Sequence, residues 1–208
     1  MAGRFCRLEP LDVRTHAAAL FAAFREDAAG IGWTYLPYGP FARPAEFRKW
    51  LAAEGKGDDP LFFAVMDGDG RAVGMTSFLR IQPAIGAIEL GHIHFAPRLQ
   101  RTPAATEAIF LMMRHAFDEL GYRRCEWKCD SLNSASRRAA ERLGFSFEGL
   151  FRQATVYKGR NRDTAWYSLI DREWPALRAS FRRWLSPSNF GPGGRQRTRL
   201  NAARRPPV

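Results

Sequence analysis

Cysteine is scarce in this chain of 208 residues, which contains only Cys6, Cys125 and Cys129. Three cysteines cannot form a closed set of disulfide bonds. Cys125 and Cys129 fall in a strand-like run, where a spacing of four residues separates them by roughly 13 Å, too far for one metal ion. We therefore interpret the cysteines as buried thiols and expect a reducing, cytoplasmic setting.

A long apolar run near the amino terminus is also missing, so neither a secretion signal nor membrane association is expected. Acidic residues are missing beyond Leu185, where five of the 32 basic residues lie. The formal net charge of +11 therefore overstates the charge of the body of the chain. Residues 186–208 are rich in arginine, proline and glycine, which predicts a flexible tail. This tail is either simply solvated or makes weak electrostatic contact with nucleic acid or a ribosome.

Metal-ligand clusters are not evident in the sequence. His92 and His94 share one face of a predicted strand, but no cluster of cysteine, histidine or carboxylate residues accompanies them. No metal site is predicted.

The composition of the whole chain, with 46% hydrophobic and 13% aromatic residues, predicts one globular domain over residues 1–185. Hydrophobic periodicity and turn residues define its elements. The runs 61–66, 72–79 and 87–95 are expected to form an antiparallel meander. The other predicted strands are 6–8, 125–129, a strand from Phe145, 153–158 and 164–170, and the predicted helices are 15–27, one from Pro44, 103–120, 133–143 and 174–185.

The segment before the helix at 103–120 has the features of an anion-binding turn. Thr102 is in the N-cap position and Pro103 is at N1, where a missing amide costs nothing. The free amides of Ala104 and Ala105, together with the helix dipole and Arg101, would bind a phosphate or pyrophosphate. An ordinary strand-to-helix turn is the alternative interpretation.

Aromatic residues are dense between the first two predicted helices, over residues 33–41. Trp33, Tyr35 and Tyr38 are candidates for contacts with a substrate if this loop closes over a ligand. Alternatively, the rings pack the two helices together, because aromatic side chains bring large apolar area wherever they lie.

Three local motifs occur in this order of elements. The segment Glu89–His92 reads acidic-apolar-Gly-aromatic, residues 100–108 form the turn, and Asn133-Ser134-Ala135-Ser136 precedes the Leu-Gly-Phe-x-x-Glu-Gly pattern at 143–149. Together they resemble the GNAT superfamily of N-acetyltransferases, and more narrowly its RimJ/RimL-type branch. The resemblance covers roughly residues 5–180. It implies an α+β fold of three layers (α/β/α), in which helices cover both faces of a mixed, mostly antiparallel twisted sheet.

The resemblance also implies that acetyl-CoA is bound as a co-substrate, without a metal. The chain departs from the family pattern at the turn, where Pro103 occupies a glycine position and donates no amide to the pyrophosphate. Many relatives carry a proton-donating tyrosine where this chain has Ala140. The residues implied in binding acetyl-CoA are Ile93, His94, Phe95, Gln100, Arg101, Thr102, Ala104, Ala105, Asn133 and Ser136.

Three side chains are candidates for the chemistry of transfer. Ser136 is expected to stabilise or protonate the departing thiolate, unless it is a solvent-facing helix serine. Glu89 is the candidate general base, acting through water, unless it forms an ion pair at the sheet edge. His92 is the alternative base, because its unperturbed pKa near 6.5 suits proton removal at neutral pH. Asp163 is a further candidate contact for a cationic acceptor, although a turn carboxylate is the plainer interpretation.

The function implied is transfer of an acetyl group from acetyl-CoA to a primary amine by direct attack in a ternary complex. The acceptor would be a protein amino terminus or a small-molecule amine, and the enzyme a monomer or homodimer. The alternative is a non-catalytic module that binds acyl-CoA or associates with RNA or a ribosome.

Overall fold

A seven-stranded sheet with helices against both faces organises residues 1–200, the part of the chain that this computed structural model describes. Its elements are β1 (Arg7–Pro10), α1 (Val13–Phe24), α2 (Pro44–Glu54), β2 (Leu61–Met66), β3 (Ala72–Gln82), β4 (Ala87–Phe95), α3 (Pro103–Arg114), β5 (Arg124–Asp130), α4 (Ser134–Arg142), β6 (Ser146–Tyr157), β7 (Arg160–Ile170) and α5 (Trp174–Leu185). The strand order is β1-β2-β3-β4-β5-β7-β6. Neighbouring strands are antiparallel except β4 and β5, which are parallel. The mixed, mostly antiparallel sheet and the β2-β3-β4 meander are thus confirmed.

Two hydrophobic clusters fill the space on the two sides of the sheet. Helices α1 and α2 contribute Leu20, Phe24 and Phe47 to one cluster. Helices α3 and α5 contribute Met112 and Phe181 to the other, and α4 contributes Ala140. The three-layer arrangement follows from these two cores. Cys6, Cys125 and Cys129 are free and buried, as predicted.

Helix α1 begins two residues earlier and ends three residues earlier than the sequence pattern predicts. Asp12 is the N-cap, and its Oδ1 accepts a hydrogen bond from the amide of Thr15 at 2.8 Å. After Phe24 the chain leaves the helix, and Asp27 Oδ2 accepts from the amide of Gly32 at 2.7 Å. Asp27 therefore stabilises the following turn rather than the end of the helix.

The prediction of one continuous helix over 103–120 is wrong at its end. Regular α-helix stops at Arg114, and a π-helical turn covers His115–Glu119, with the amide of Leu120 donating to the carbonyl of His115. This wider turn rotates the last residues, so Leu120 is 50% exposed instead of facing the core.

The last two strands also differ from prediction. The return strand from Phe145 and the strand at 153–158 are one 12-residue strand, β6, with a register shift between Phe151 and Thr155. Lys158 and Gly159 both have positive φ, so the hairpin turn is these two residues rather than residues 159–161.

Residues 186–200 pack against α5, which differs from the flexible tail predicted from residue 186. The Trp184 indole Nε1 donates to the carbonyl of Thr198 at 3.1 Å, and Asn189 Oδ1 accepts from the amide of Thr198 at 2.9 Å. Leu200 is buried in the main cluster. The arginine-rich composition of this segment gave no sign of these contacts. The rest of the predicted tail, 201–208, lies outside the described residues.

Glu107, on the first turns of α3, binds the amino-terminal loop. Its carboxylate accepts hydrogen bonds from three successive amides, those of Arg4, Phe5 and Cys6, at 2.8, 2.5 and 3.0 Å. The carboxylate is buried, and a Cβ at Gly3 would lie 2.4 Å from its Cδ. The first strand is therefore fastened to the helix that follows β4.

Candidate active site

The centre of the sheet opens where β4 and β5 part. The two strands pair in parallel from Ala87 and Arg124 as far as Leu90 and Trp127, and no further within the described residues. Just beyond this point His92 has a φ of +50°, and the register against β3 shifts between Met75 and Ser77. A bulge of this kind turns the strand away from its neighbour. It leaves the β5 side of the last residues of β4 open, and we name this opening the fork.

The amino end of α3 lies at the end of β4 that borders the fork. Thr102 is the N-cap, and its hydroxyl accepts from the amide of Ala105 at 3.2 Å. Ala105 is therefore not free in this structure, in contrast to the sequence expectation, because a capping side chain takes an amide of the first turn. Within residues 1–200, the amides of Arg101 and Ala104 have no acceptor.

Gln100 and Arg101 shape this turn in different ways. The Gln100 Nε2 donates to the carbonyl of Phe95 at 2.8 Å, which holds the turn against the end of β4. Arg101 has a φ of +61° and an exposed side chain. The helix therefore presents two amides and one exposed cation at its positive end, an arrangement suited to a phosphate group.

Asn133 and Ser136 lie where α4 begins, on the β5 side of the fork. The Asn133 Oδ1 accepts from the amide of Ser136 at 3.0 Å, so Asn133 caps the helix. The Ser136 hydroxyl is half-buried rather than directed fully to solvent, and it accepts from the Trp127 indole at 2.9 Å. Burial raises the pKa of the neighbouring Cys129 thiol, and a hydrogen bond from Ser136 opposes this rise.

Glu89 is buried at the centre of an ion-pair chain that crosses the sheet. Its Oε2 accepts from Arg80 Nη1 and from Lys128 Nζ, both at 2.8 Å. Lys128 also pairs with Glu126, which pairs with Arg124. Glu89 therefore lies in the interior of the sheet face rather than at a sheet edge.

His92 and His94 are both packed among aromatic rings. Tyr38 Oη lies 2.8 Å from His92 Nδ1, and the ring of Trp33 is 3.8 Å from that of His94. Burial, with a smaller contribution from the charge of Arg80, lowers the pKa of His92 to about 4. Burial also lowers the pKa of His94 to about 4. Both imidazoles are therefore neutral near pH 7.

The aromatic loop at 33–41 packs between the helices and also contacts the fork. Trp33 is buried among rings of α1 and the loop, as the packing interpretation predicted. Tyr35 Oη donates to the carbonyl of Leu132 at 3.1 Å, and Lys158 Nζ donates to the carbonyl of Trp33 at 2.8 Å. The loop is thus fastened to the start of α4 and to the β6–β7 turn.

A groove of about 650 Å³ runs along the sheet face beside the Glu89 chain. Its lining includes Lys128 from β5 and Trp166 from β7, with the Lys128 Nζ 3.8 Å from the centre of the Trp166 ring. Sequence reasoning missed most of this surface, because β6 and β7 bring together residues far apart in the chain. The groove is lined by Arg80, Gln82, Ile85, Ala87, Arg124, Glu126, Lys128, Phe151, Ala154, Thr155, Arg162, Thr164 and Trp166.

Tyr157 and Asp130 form a further pair that sequence reasoning missed. Tyr157 Oη donates to Asp130 Oδ2 at 2.7 Å, at the end of β5 that borders the fork. Burial and this hydrogen bond raise the pKa of Tyr157 to about 12. Asp163, a predicted acceptor contact, instead accepts from the amide of Gln153 and the side chain of Asn161 within the hairpin.

Residues 1–200 contain neither a metal-ligand cluster nor a membrane-spanning helix. No group of three or more histidine, cysteine or carboxylate side chains there is arranged to hold a metal ion. Among the same residues, no helix has the length and apolar character needed to cross a membrane.

The chain is similar to known acetyltransferases in sequence and in structure. Residues 6–146 match the model of the acetyltransferase (GNAT) domain. The Bacillus subtilis protein named "Putative ribosomal N-acetyltransferase YdaF" is 31% identical over 106 residues, which span 51% of this chain and only 57% of that protein.

Solved structures extend the similarity to the whole fold. A GCN5-related N-acetyltransferase from Brucella melitensis is 52% identical, with a TM-score of 0.94 over 96% of this chain and 91% of that chain. A structure from Chromobacterium violaceum, described as a probable acetyltransferase of the GNAT family, is 47% identical, with a TM-score of 0.78 over 84% of this chain and 87% of that chain.

Proposed function

Since the chain belongs to the GNAT acetyltransferase family, we propose that it transfers an acetyl group from acetyl-CoA to a primary amine. Similarity to the ribosomal N-acetyltransferase relative supports the RimJ/RimL-type branch. The observation that carries the proposal is the junction of the fork with the amino end of α3. This junction offers a slot for an extended chain that leads directly to an anion-binding turn.

Acetyl-CoA fits this junction at two points. The turn amides of Arg101 and Ala104, with the Arg101 side chain, would hold the pyrophosphate. The open side of β4, over Ile93, His94 and Phe95, would pair with the pantetheine arm as an added strand would. When bound, acetyl-CoA supplies the thioester that an amine attacks.

The β4 backbone would then act on the thioester carbonyl, and residues at the start of α4 would act on the departing thiolate. An amide at the bulge beside His92 would polarise the thioester carbonyl, because a preorganised donor stabilises the negative charge that develops there. Ser136, whose hydroxyl oxygen already accepts from Trp127, would stabilise the departing thiolate by donating a hydrogen bond to it. Asn133 would orient the arm beside it while capping α4.

The acceptor amine would approach from the sheet face that carries Glu89 and the groove. Glu89, through a water molecule, would take the proton that the amine loses. Lys128 and Arg80 both hold its Oε2. His92 is a neutral alternative acceptor, with Tyr38 Oη against its Nδ1. Positioning of the amine contributes independently of either group.

Two substitutions at the turn are expected to change acetyl-CoA affinity in opposite directions. Arg101→Ala removes an exposed cation and is expected to raise the dissociation constant about threefold. Pro103→Ala adds an amide at N1 of α3 and is expected to lower it by about the same factor, because one more donor faces the pyrophosphate. Isothermal titration calorimetry with acetyl-CoA measures both constants.

Arg98→Ala is the matched control for charge, because Arg98 is exposed near the same turn but pairs with Glu26. Its affinity for acetyl-CoA is expected to match that of the unsubstituted protein. Equal affinities in all four proteins would place acetyl-CoA elsewhere, and absence of binding to any of them would contradict the proposed function.

A further inference from the structure

Arg162 is the one cation lining the groove that has no carboxylate partner within residues 1–200. Its Nε donates to the Thr164 hydroxyl at 3.1 Å, and its guanidinium lies 5.9 Å from the centre of the Tyr157 ring. The side chain is half-buried. A partly desolvated charge without a counter-ion is costly, so an anion at this position would be stabilised.

The other cations of the groove are already neutralised by the protein. Arg80 pairs with Glu89, and Lys128 pairs with both Glu89 and Glu126. Arg124 pairs with Glu126 and with Glu148. Positive and negative groups alternate along this chain, so its three cations and three carboxylates cancel, and Arg162 leaves the groove with an excess positive charge.

Arg162 lines the groove near the end of β5 that borders the fork. It follows Arg160 and Asn161 on β7, two residues before Thr164, which pairs with Asp130 at the end of β5. Asp130 in turn accepts from Tyr157, the ring next to the Arg162 guanidinium. A molecule that lies in the groove with its amine at the fork would therefore lie close to this guanidinium.

We propose that the acceptor is a primary amine that also carries a carboxylate, and that Arg162 binds this carboxylate. The proposal rests on the proposed acetyl transfer and narrows its acceptor class. A guanidinium suits this task because it presents several N–H donors in a fixed plane to a carboxylate. Polyamines, whose remaining groups are cationic, are disfavoured by the same charge.

Two kinds of molecule carry both a primary amine and a nearby carboxylate: a free amino acid, and a peptide with an acidic residue near its amino terminus. The first test compares kcat/KM for two peptides that begin Ser-Asp and Ser-Asn and are otherwise identical, with blocked carboxyl ends. The second compares serine with serinamide. A preference in the first pair identifies a peptide acceptor, and a preference in the second pair identifies an amino acid.

In the unsubstituted protein, the acidic member of at least one pair is expected to be favoured about tenfold, since hydrogen bonds to charged groups have roughly this effect. Arg162→Gln is expected to reduce the ratio to about one. Arg152→Gln removes a cation from an exposed site on β6 outside the groove lining and is expected to preserve the ratio. Thermal melting confirms that both variants are folded.

Binding of the same compounds, measured by calorimetry in the presence of CoA, distinguishes the role of Arg162 from the proposed acetyl transfer. Acetylation with equal efficiency within both pairs would overturn the role of Arg162 and leave acetyl transfer standing. Selective binding of the acidic compounds without any acetylation would support Arg162 and contradict the proposed function. A preference that survives in Arg162→Gln, or equal binding of all compounds, would overturn the inference.

Discussion

A Glu107→Ala variant is expected to lose about 3 kcal/mol of the free energy of unfolding, because three backbone amides lose their acceptor at once. The carboxylate is 4% exposed, so water cannot easily replace it where it lies. The amides belong to the loop before β1, and this edge strand is expected to loosen first. Chemical denaturation measures the loss, and hydrogen exchange at Cys6 locates it.

Glu119→Ala is the matched control on the same segment of chain. The Glu119 carboxylate is 48% exposed and pairs with Arg114 and His115 at the surface, so its removal is expected to cost less than about 1 kcal/mol. A Glu107→Ala protein as stable as Glu119→Ala would show that the amino-terminal loop contributes little to the fold.

A Ser136→Ala variant is expected to lower kcat for acetyl transfer by about a hundredfold, with little change in the dissociation constant of acetyl-CoA. The loss of one donor to a developing negative charge has effects of this order. Asn133 Oδ1 and the Ser136 amide are unchanged, so the cap of α4 is retained. Steady-state rates at saturating acetyl-CoA, together with calorimetry, separate kcat from binding.

Ser134→Ala removes an exposed hydroxyl two residues earlier on α4 and is expected to retain full activity. Trp127→Phe removes the indole donor to Ser136 but leaves the hydroxyl hydrogen, so a smaller loss is expected. If kcat is unchanged in Ser136→Ala, another group or solvent protonates the thiolate.

Local patterns in the sequence predicted the order of elements well. Thr102 and Asn133 were recognised as N-caps because capping residues act on amides three positions ahead. The end of α3 could not be predicted, because the change to π-helix at His115 depends on packing of the whole helix. The anchoring of residues 186–200 was hidden for a related reason, since Asn189 and Trp184 make their contacts across a long turn.

The residues of the candidate site also differ in whether a local sequence pattern could predict them. Glu89, Ser136 and the turn before α3 were predicted as site residues because they lie in motifs within short segments. Arg162 and the Tyr157–Asp130 pair were not, because strand pairing between β5, β6 and β7 brings them to the fork. Glu89 itself was predicted as a site residue, but its pairing with Lys128 depends on the register of β4 and β5 and could not be predicted from the sequence.

Mass spectrometry of the reaction products tests the central claim most directly. The protein would be incubated with acetyl-CoA and the Ser-Asp peptide or serine. The account predicts that the amine gains one acetyl group while an equal amount of free CoA appears, and that both products fall together in Ser136→Ala. Release of CoA without an acetylated amine, or no reaction by a protein that binds acetyl-CoA, would contradict it.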